Sequence, residues 1–357
     1  MFNPFRLFFP KKMIGVDIGT SSIKIVEISH WGGGRTLENY GEIKAMSLYE
    51  DHDPFRNFAG SNYLLSDFFV SRAIKAVLEE SGIKTKAAVF SIPDYSTFST
   101  SFELPPMAEK EISEAVRYHA PQYIPLPSAE TTLDWQLING TPGDKKSKLE
   151  ILLTAIPNQI LQSYKKVADN VGLELYSIEA EALAITRALL NGSKKTICLI
   201  DIGVQSTTIN IVDKGHLKKS YSSSFAGGQL NYAIASSFGM SRVEAEEIKN
   251  SKGLIDVDKN ITKALYLLID PLLFEVKKVS SDFFQSTGKN IEEIYLTGGT
   301  ANLPGLKEYF QESIGKKVLI PNCFSKFLYP PILDETLKEM GPSFSVSVGA
   351  ALGGLEG

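Results

Sequence analysis

The sequence predicts an α/β fold made of two copies of one strand–turn–strand unit facing a shared cleft, with a small α+β unit inserted into the first copy. Three observations predict it. The phrase Asp17-Ile18-Gly19-Thr20-Ser21-Ser22 returns in altered form as Asp201-Ile202-Gly203-Val204-Gln205-Ser206-Thr207-Thr208. Each copy lies between two apolar runs, 13–16 and 23–28 around the first, 197–200 and 209–212 around the second. Similarity at such long spacing marks a duplicated architecture.

The elements follow in order. The first strands, through 43–45, read as a three-stranded meander. The segment 63–82 reads as an amphipathic helix with Leu64, Leu65, Phe68, Phe69, Ile74, Val77 and Leu78 on its apolar side. Residues 86–92 and 98–104 read as strands, and 108–121 as a helix ended by Pro121. The segments 131–138 and 148–155 alternate like paired strands around the polar loop 139–147, the best candidate for disorder. Residues from about 97 to 153 therefore form the insert. A helix over 158–171 and a short strand at 173–175 lead to a connecting helix over 178–189. The plan repeats from residue 195, with helices over 230–238, 241–250 and 261–286, where Pro271 predicts a kink or break. The small residues of 347–354 suit a helix at a shear or hinge point. The expected division is 13–96 with 154–192 and 342–357, the insert 97–153, 193–230 with 290–341, and a helical subdomain 231–289.

Composition bounds the function. A chain of 357 residues suits roughly two domains. Apolar content of 43% and charged content of 22% are those of a globular protein that buries a sizeable core. A net charge of −4 gives no general pull toward nucleic acid or anionic lipid. Cys198 and Cys323 are far apart, which argues against a disulfide or a thiolate metal site, and the four histidines have no ligand-like spacing. No run reaches the ~18 apolar residues of a membrane span. The opening segment 1–12 is aromatic and basic. Its Phe2, Phe5, Phe8 and Phe9 either tuck onto the domain or make a weak contact with membrane or a partner beside Arg6, Lys11 and Lys12.

The repeated turns carry the chemistry. Gly19 and Gly203 let backbone approach a ligand closely. Thr20, Ser21, Ser22, Ser206 and Thr207 offer N–H groups and hydroxyls to phosphate oxygens. Asp17 and Asp201 repel phosphate but can hold a hydrated Mg2+ that neutralises it. One such turn alone is more often an ordinary hairpin turn; two in the same context can hold one polyphosphate between them. Residues 294–306 read as a strand, a Gly298-Gly299 turn and a helix start, which is either a flat ligand contact or a plain connector. Ser241 and Glu244 form a capping box, after which Glu246 and Lys249 share a helix face that reaches a ribose or is simply solvated. Glu179, at the start of the connecting helix, either orients a water at a terminal phosphate or complements the helix dipole.

Taken together, these blocks resemble the actin-like ATPase superfamily, in which two duplicated RNase H-like domains flank a nucleotide cleft. The two D-I-G phrases match its phosphate motifs, 297–306 its adenosine motif, and 178–189 and 347–354 its connecting helices. Ser91-Ile92-Pro93-Asp94-Tyr95, Leu104-Pro105-Pro106-Met107, Ile124-Pro125 and Leu133-Asp134-Trp135-Gln136 look like the PilM family of type IV pilus machines, which shares its inserted subdomain with FtsA. The resemblance implies ATP and Mg2+ as ligands. It places Gly19, Thr20, Ser21, Ser22, Lys24, Gly203, Gln205, Ser206 and Thr207 at the phosphates, with Asp17 and Asp201 at the metal through water. It places Gly227 and Gly228 near the nucleotide, Glu246 and Lys249 at the ribose, Gly298, Gly299 and Thr300 at the adenine, and Glu179 as the acid that positions water. The connecting helix reads Glu-Ala-Glu where several active relatives have Glu-Pro, so binding is implied and hydrolysis is left open.

By the same resemblance the protein is an inner-membrane-associated cytoplasmic scaffold, peripheral through its partner. That partner is the N-terminal peptide of a PilN-like membrane protein, in a groove that Tyr95, Phe98, Phe102 and Tyr118 can line, with self-association possible. The competing expectations are an FtsA-like polymerising division protein, a small-molecule kinase and a heat-shock-type chaperone. The chain's C-terminal Leu352-Gly353-Gly354-Leu355-Glu356-Gly357 does not read as the amphipathic membrane helix of the first.

Overall fold

The computed structural model describes residues 10–44, 56–57, 64–125, 127–255 and 259–356. The aromatic leader over 1–9 and the expected helix start at residue 63 lie outside the described residues.

The first half opens with the antiparallel meander β1 (Lys11–Ile18), β2 (Ser22–Trp31) and β3 (Gly34–Lys44). β4 (Arg56–Asn57) and β5 (Leu64–Leu65) form a short hairpin where the sequence suggests the first turn of a helix. Helix α1 (Asp67–Glu80) consequently begins later than expected, and Phe68 is 62% exposed instead of joining the apolar face. Strand β6 (Ala87–Ile92) returns parallel to β1.

The insert consists of β7 (Phe98–Leu104), α2 (Glu109–His119), β8 (Thr131–Asn139) and β9 (Leu149–Pro157). α2 stops before Pro121, which sits in a following 3-10 turn. The 139–147 loop, expected to lack order, is tied by bonds of its own. Gly143 N–H donates to Met107 O at 2.9 Å and Thr141 N–H to Ser147 Oγ at 3.0 Å. Phe102 is buried in the insert's core and stacks on Tyr123 at 4.6 Å, so it cannot line a groove as expected. Helix α3 (Asn158–Val171) and strand β10 (Glu174–Ala180), longer than the sequence suggests, lead to α4 (Glu181–Leu190).

The second half repeats the meander as β11 (Thr196–Ile202), β12 (Thr207–Asp213) and β13 (His216–Ser223). Helices α5 (Gly227–Phe238), α6 (Arg242–Lys252) and α7 (Lys259–Thr287) follow. α7 runs through Pro271 without a break. The carbonyl that Pro271 cannot bond is that of Leu267, an exposed position where water can satisfy it. The chain closes with β14 (Glu293–Thr297), α8 (Leu306–Ile314), β15 (Lys317–Leu319) and α9 (Asp334–Glu356).

The duplication is legible in the strand orders. The first sheet runs β10-β6-β1-β2-β3, and the second contains β15-β14-β11-β12-β13. Each is an antiparallel meander whose first strand pairs in parallel with the next crossover strand. The second sheet continues through β7, β9 and β8, so the insert extends the sheet of the second half. β13 and β7 share one register pair, Lys219↔Thr100, Ser101 Oγ donates to Lys218 O at 2.9 Å, and Ile138 and Leu152 of the insert are buried in one cluster with Leu199, Val212 and Leu217.

α4 and α9 pack against each other between the halves, and α9 also covers β1 and β2. Glycine permits the closest of these approaches. A Cβ on Gly349 would enter the Ala184 backbone, and one on Gly15 would enter the Ser347 carbonyl. Cys198 is a buried filler whose thiol burial pushes up to about 12, and Cys323 is likewise buried and free. Among the described residues no helix is long and apolar enough to cross a membrane.

Candidate functional site

The two D-I-G turns are built alike. Gly19 N–H donates to Ser22 O at 3.0 Å, and Gly203 N–H donates to Ser206 O at 2.9 Å. The strands leave these turns in equivalent register, Ile18↔Ile23 with Asp17↔Lys24, and Ile202↔Thr207 with Asp201↔Thr208. A Cβ on either glycine would press on the serine carbonyl that closes its turn, at 2.9 Å in both. Each turn is thus tight because its first residue has no side chain.

Both turns line one cavity of about 90 Å³. Gly19, Thr20, Ser21, Ser22, Lys24 and Asp17 line it from the first half, and Asp201, Gly203, Gln205, Ser206, Gly298 and Gly299 from the second. Glu181, Tyr95, Thr208, Pro342 and Ser343 complete much of the lining, none of them expected at the phosphates from sequence. The volume is well below the ~300 Å³ of a typical small-molecule site, so a nucleotide needs the halves to part further. A larger cavity, about 470 Å³, lies between the insert and the second half. Its carboxylates are already paired: Lys218–Glu150 at 2.7 Å, Lys289–Asp213 at 2.6 Å and Lys148–Glu103 at 2.7 Å. It is a charged joint without convergent chemistry, and the smaller cleft is the better candidate.

The cleft is electrostatically loaded. Burial, then the charges of Asp17 and Asp94, push the Asp201 carboxyl up to about 7, with Lys24 pulling the other way. Burial pushes Asp94 up to about 6, opposed by the Ala182 N–H and the Thr208 hydroxyl. Lys24 Nζ lies 2.6 Å from Ser22 Oγ and 3.5 Å from Glu42. Carboxylates from both halves thus meet where a cation would relieve them. Among the described residues no group of three His, Cys, Asp or Glu side chains can hold a metal by itself. Phosphate oxygens and water would have to supply the other ligands of a Mg2+.

Other expected residues surround this cavity without lining it. Gly227 N–H donates to Gly203 O at 2.9 Å and Gly228 N–H to Val204 O at 2.8 Å, so the glycine pair fastens the start of α5 to the second turn. A Cβ on Gly227 would collide with Thr300 Oγ1. The hydroxyls of Thr207 and Thr300 are buried with no hydrogen-bond partner, as groups awaiting a ligand would be. Ser241 caps α6 as expected, its Oγ accepting from Glu244 N–H at 3.3 Å. Lys249, on the same helix, is only 3% exposed. Burial holds its ammonium below the usual range despite Glu246 nearby, and Lys44 across the cleft lowers it further.

Glu179 stands elsewhere. It lies next to last in strand β10 instead of opening the connecting helix, and Arg187 grips both its oxygens at 2.6 and 2.7 Å. Arg187 also donates to Gly349 O at 2.8 Å and approaches Glu356. Glu179 is therefore part of an ion-pair network under α9, while Glu181, at the start of α4, is the acid that faces the cleft. The signal was present in the Glu-Ala-Glu spelling, but only the position where the strand ends decides between its two acids.

Comparison with known proteins bears on the same architecture. The sequence model of the family described as type IV pilus assembly protein PilM matches residues 15–355. The cell division protein FtsA of Staphylococcus epidermidis is 23% identical over 86% of this chain and 73% of its own length. Among solved structures, a PilM-PilN type IV pilus biogenesis complex superposes with a TM-score of 0.81 at 24% identity, over 97% of this chain and 99% of that one. The ethanolamine utilization protein EutJ of Carboxydothermus hydrogenoformans follows at 0.56 and 18%, over 96% and 90%.

Proposed function

The chain belongs to the PilM family of type IV pilus assembly proteins, with an actin-like ATPase fold, and from that premise we propose an ATP- and Mg2+-binding scaffold that docks a short peptide of a membrane-anchored partner. The observation that carries the nucleotide part is the matched pair of turns on one carboxylate-floored cavity. Gly19–Ser22 and Gly203–Ser206 would cradle phosphates, and Asp17 and Asp201 would hold Mg2+ through water. Thr300 and Thr207 would find partners on opening, and Glu246 with Lys249 would meet the ribose. A bound Mg2+ supplies charge neutralisation between the facing carboxylates. Glu181, which lines the cavity, would orient a water at a terminal phosphate.

The partner reading draws on the fold match to a PilM-PilN complex. It assigns this chain the N-terminal peptide of a PilN-like protein and a peripheral place on the inner face of the cytoplasmic membrane. Calorimetric titration with ATP–Mg2+ of wild type beside Asp201→Ala tests the nucleotide part. Micromolar binding that disappears in the variant is the expected result, and no binding by wild type sinks it. Titration with a synthetic PilN N-terminal peptide from the same genome tests the partner part, and failure with and without nucleotide refutes it.

A further inference from the structure

A separate cavity of about 260 Å³ lies at the C-terminal end of α9. Arg35 of β3, Arg187 of α4 and Lys326, between β15 and α9, line it with the Asn191 amide, and Phe327 and Leu352 add an apolar wall. Three cations from three distant stretches of chain thus meet around one small space. α9 leaves room for one of them, since a Cβ on Gly353 would lie 2.7 Å from an Arg187 guanidinium nitrogen. The site already holds a carboxylate of the chain itself. Glu356 Oε1 lies 2.9 Å from Arg35 Nη2, and Glu356 Oε2 lies 3.7 Å from Arg187 Nε. The other Arg187 nitrogens bond to Glu179 and to Gly349 O. The Nε edge is therefore what this arginine offers the cavity.

We propose that this cavity is a second anion site, which takes the phosphate group of a small phosphomonoester in place of the Glu356 carboxylate. Glu356 marks where an anion sits, but it holds the place loosely. Only its contact to Arg35 is within hydrogen-bond distance, and its side chain is 39% exposed, so it can turn out to water. Lys326 is exposed and forms no ion pair among the described residues. An ordinary surface ion pair accounts for Arg35 and Glu356, but not for the cavity or for Lys326 in its wall. A carboxylate has two oxygens for three converging cations. A phosphate has three, and guanidinium edges suit it. With Glu356 displaced, three positive charges face only the Glu179 carboxylate that Arg187 already holds, which favours a dianion. The site is not the nucleotide cleft. Pro342 lines that cleft and stands about 15 Å along α9 from Leu352.

Calorimetric titration of the full-length protein with inorganic phosphate, in a chloride buffer free of phosphate, tests this. Wild type should bind phosphate, and acetate about threefold or more weakly. Lys326→Ala, at an exposed position, should weaken phosphate binding about threefold or more. Glu356→Gln removes the competing carboxylate and should strengthen it about threefold or more. Both variants should match wild type toward ATP–Mg2+ within about twofold. Sedimentation with phosphatidic acid vesicles, against phosphatidylcholine vesicles, identifies the source of the phosphate. Selective pull-down that Lys326→Ala reduces assigns it to a lipid headgroup, and phosphate binding without pull-down assigns it to a soluble ligand. Phosphate binding that neither variant alters puts the anion elsewhere and overturns the proposal. So does acetate binding as tight as that of phosphate, or a Glu356→Gln protein that binds neither phosphate nor the acidic vesicles. A protein that binds no ATP–Mg2+ loses the nucleotide reading alone, because neither variant lies in that cleft.

Discussion

Asp201→Asn should stabilise the ligand-free protein while abolishing its ligand. Burial and the charges of Asp17 and Asp94 push the Asp201 carboxyl from 3.8 up to about 7. Three units at ~1.4 kcal/mol each set a ceiling of about 4 kcal/mol, and local relaxation reduces this to about 2 kcal/mol. The direction follows from linkage. A carboxyl raised in the fold contributes most favourably below its unfolded value, and that contribution is lost as pH rises through the folded value. Stability tied to Asp201 is therefore lost between about pH 4 and about pH 7 and stays lost above. An amide at this position never ionises, so the variant should melt roughly 2–3 °C above wild type at pH 8, with the gain fading toward pH 4. Thermal unfolding followed by circular dichroism, in chelator and without nucleotide, measures it. The same variant should lose ATP–Mg2+ binding in the calorimeter. A variant less stable than wild type at pH 8, or a gain independent of pH, would refute the electrostatic account of the cleft.

Three further outcomes follow from the same geometry. Arg187→Ala strands the part-buried Glu179 carboxylate and removes a bond to Gly349 O, so it should cost about 2–3 kcal/mol in urea unfolding. Gly349→Val drives a side chain into the Ala184 backbone where α4 meets α9 and should cost at least about 3 kcal/mol by the same measurement, provided the chain folds at all. Glu181→Gln should lower any phosphate release from ATP by at least about tenfold with nucleotide affinity retained, whereas Glu179→Gln should leave release per folded molecule unchanged and lower the melting temperature.

The duplicated hairpins were legible because their meaning is local. An apolar run, a glycine turn and a second apolar run specify a hairpin whatever surrounds them, and the strand orders of the two sheets agree with that reading. The capping box at Ser241 is legible for the same reason. What escaped depends on distant contacts. β4 and β5 replace a helical turn because they pair with each other, a choice that local propensity cannot anticipate. Which acid of the Glu-Ala-Glu run faces the cleft depends on whether residue 179 belongs to a strand or a helix, and that is settled by pairing with β6, where Glu179 stands opposite Ser91. Asp94 was legible as part of a family phrase, but its partner Ala182 is 88 positions away in the chain.

The charge in the cleft also limits what a ligand can do there. Asp17 comes from the first half and Asp201 from the second, so bringing the halves together without a cation concentrates like charge in a buried space. Proton uptake by Asp201 near neutral pH is one way to relieve it, and a Mg2+ with its phosphates is the other. The two compete for the same carboxylates, so nucleotide binding should release protons and strengthen as pH rises through about 7. The ligand can bias closure only by the difference between its affinities for the closed and open forms. That difference is largest where protons no longer substitute for the cation. Titrating ATP–Mg2+ in two buffers of different ionisation enthalpy at pH 7 would count the released protons. A count of zero would mean that the carboxylates are ionised before the ligand arrives, and that closure is driven by contacts other than charge.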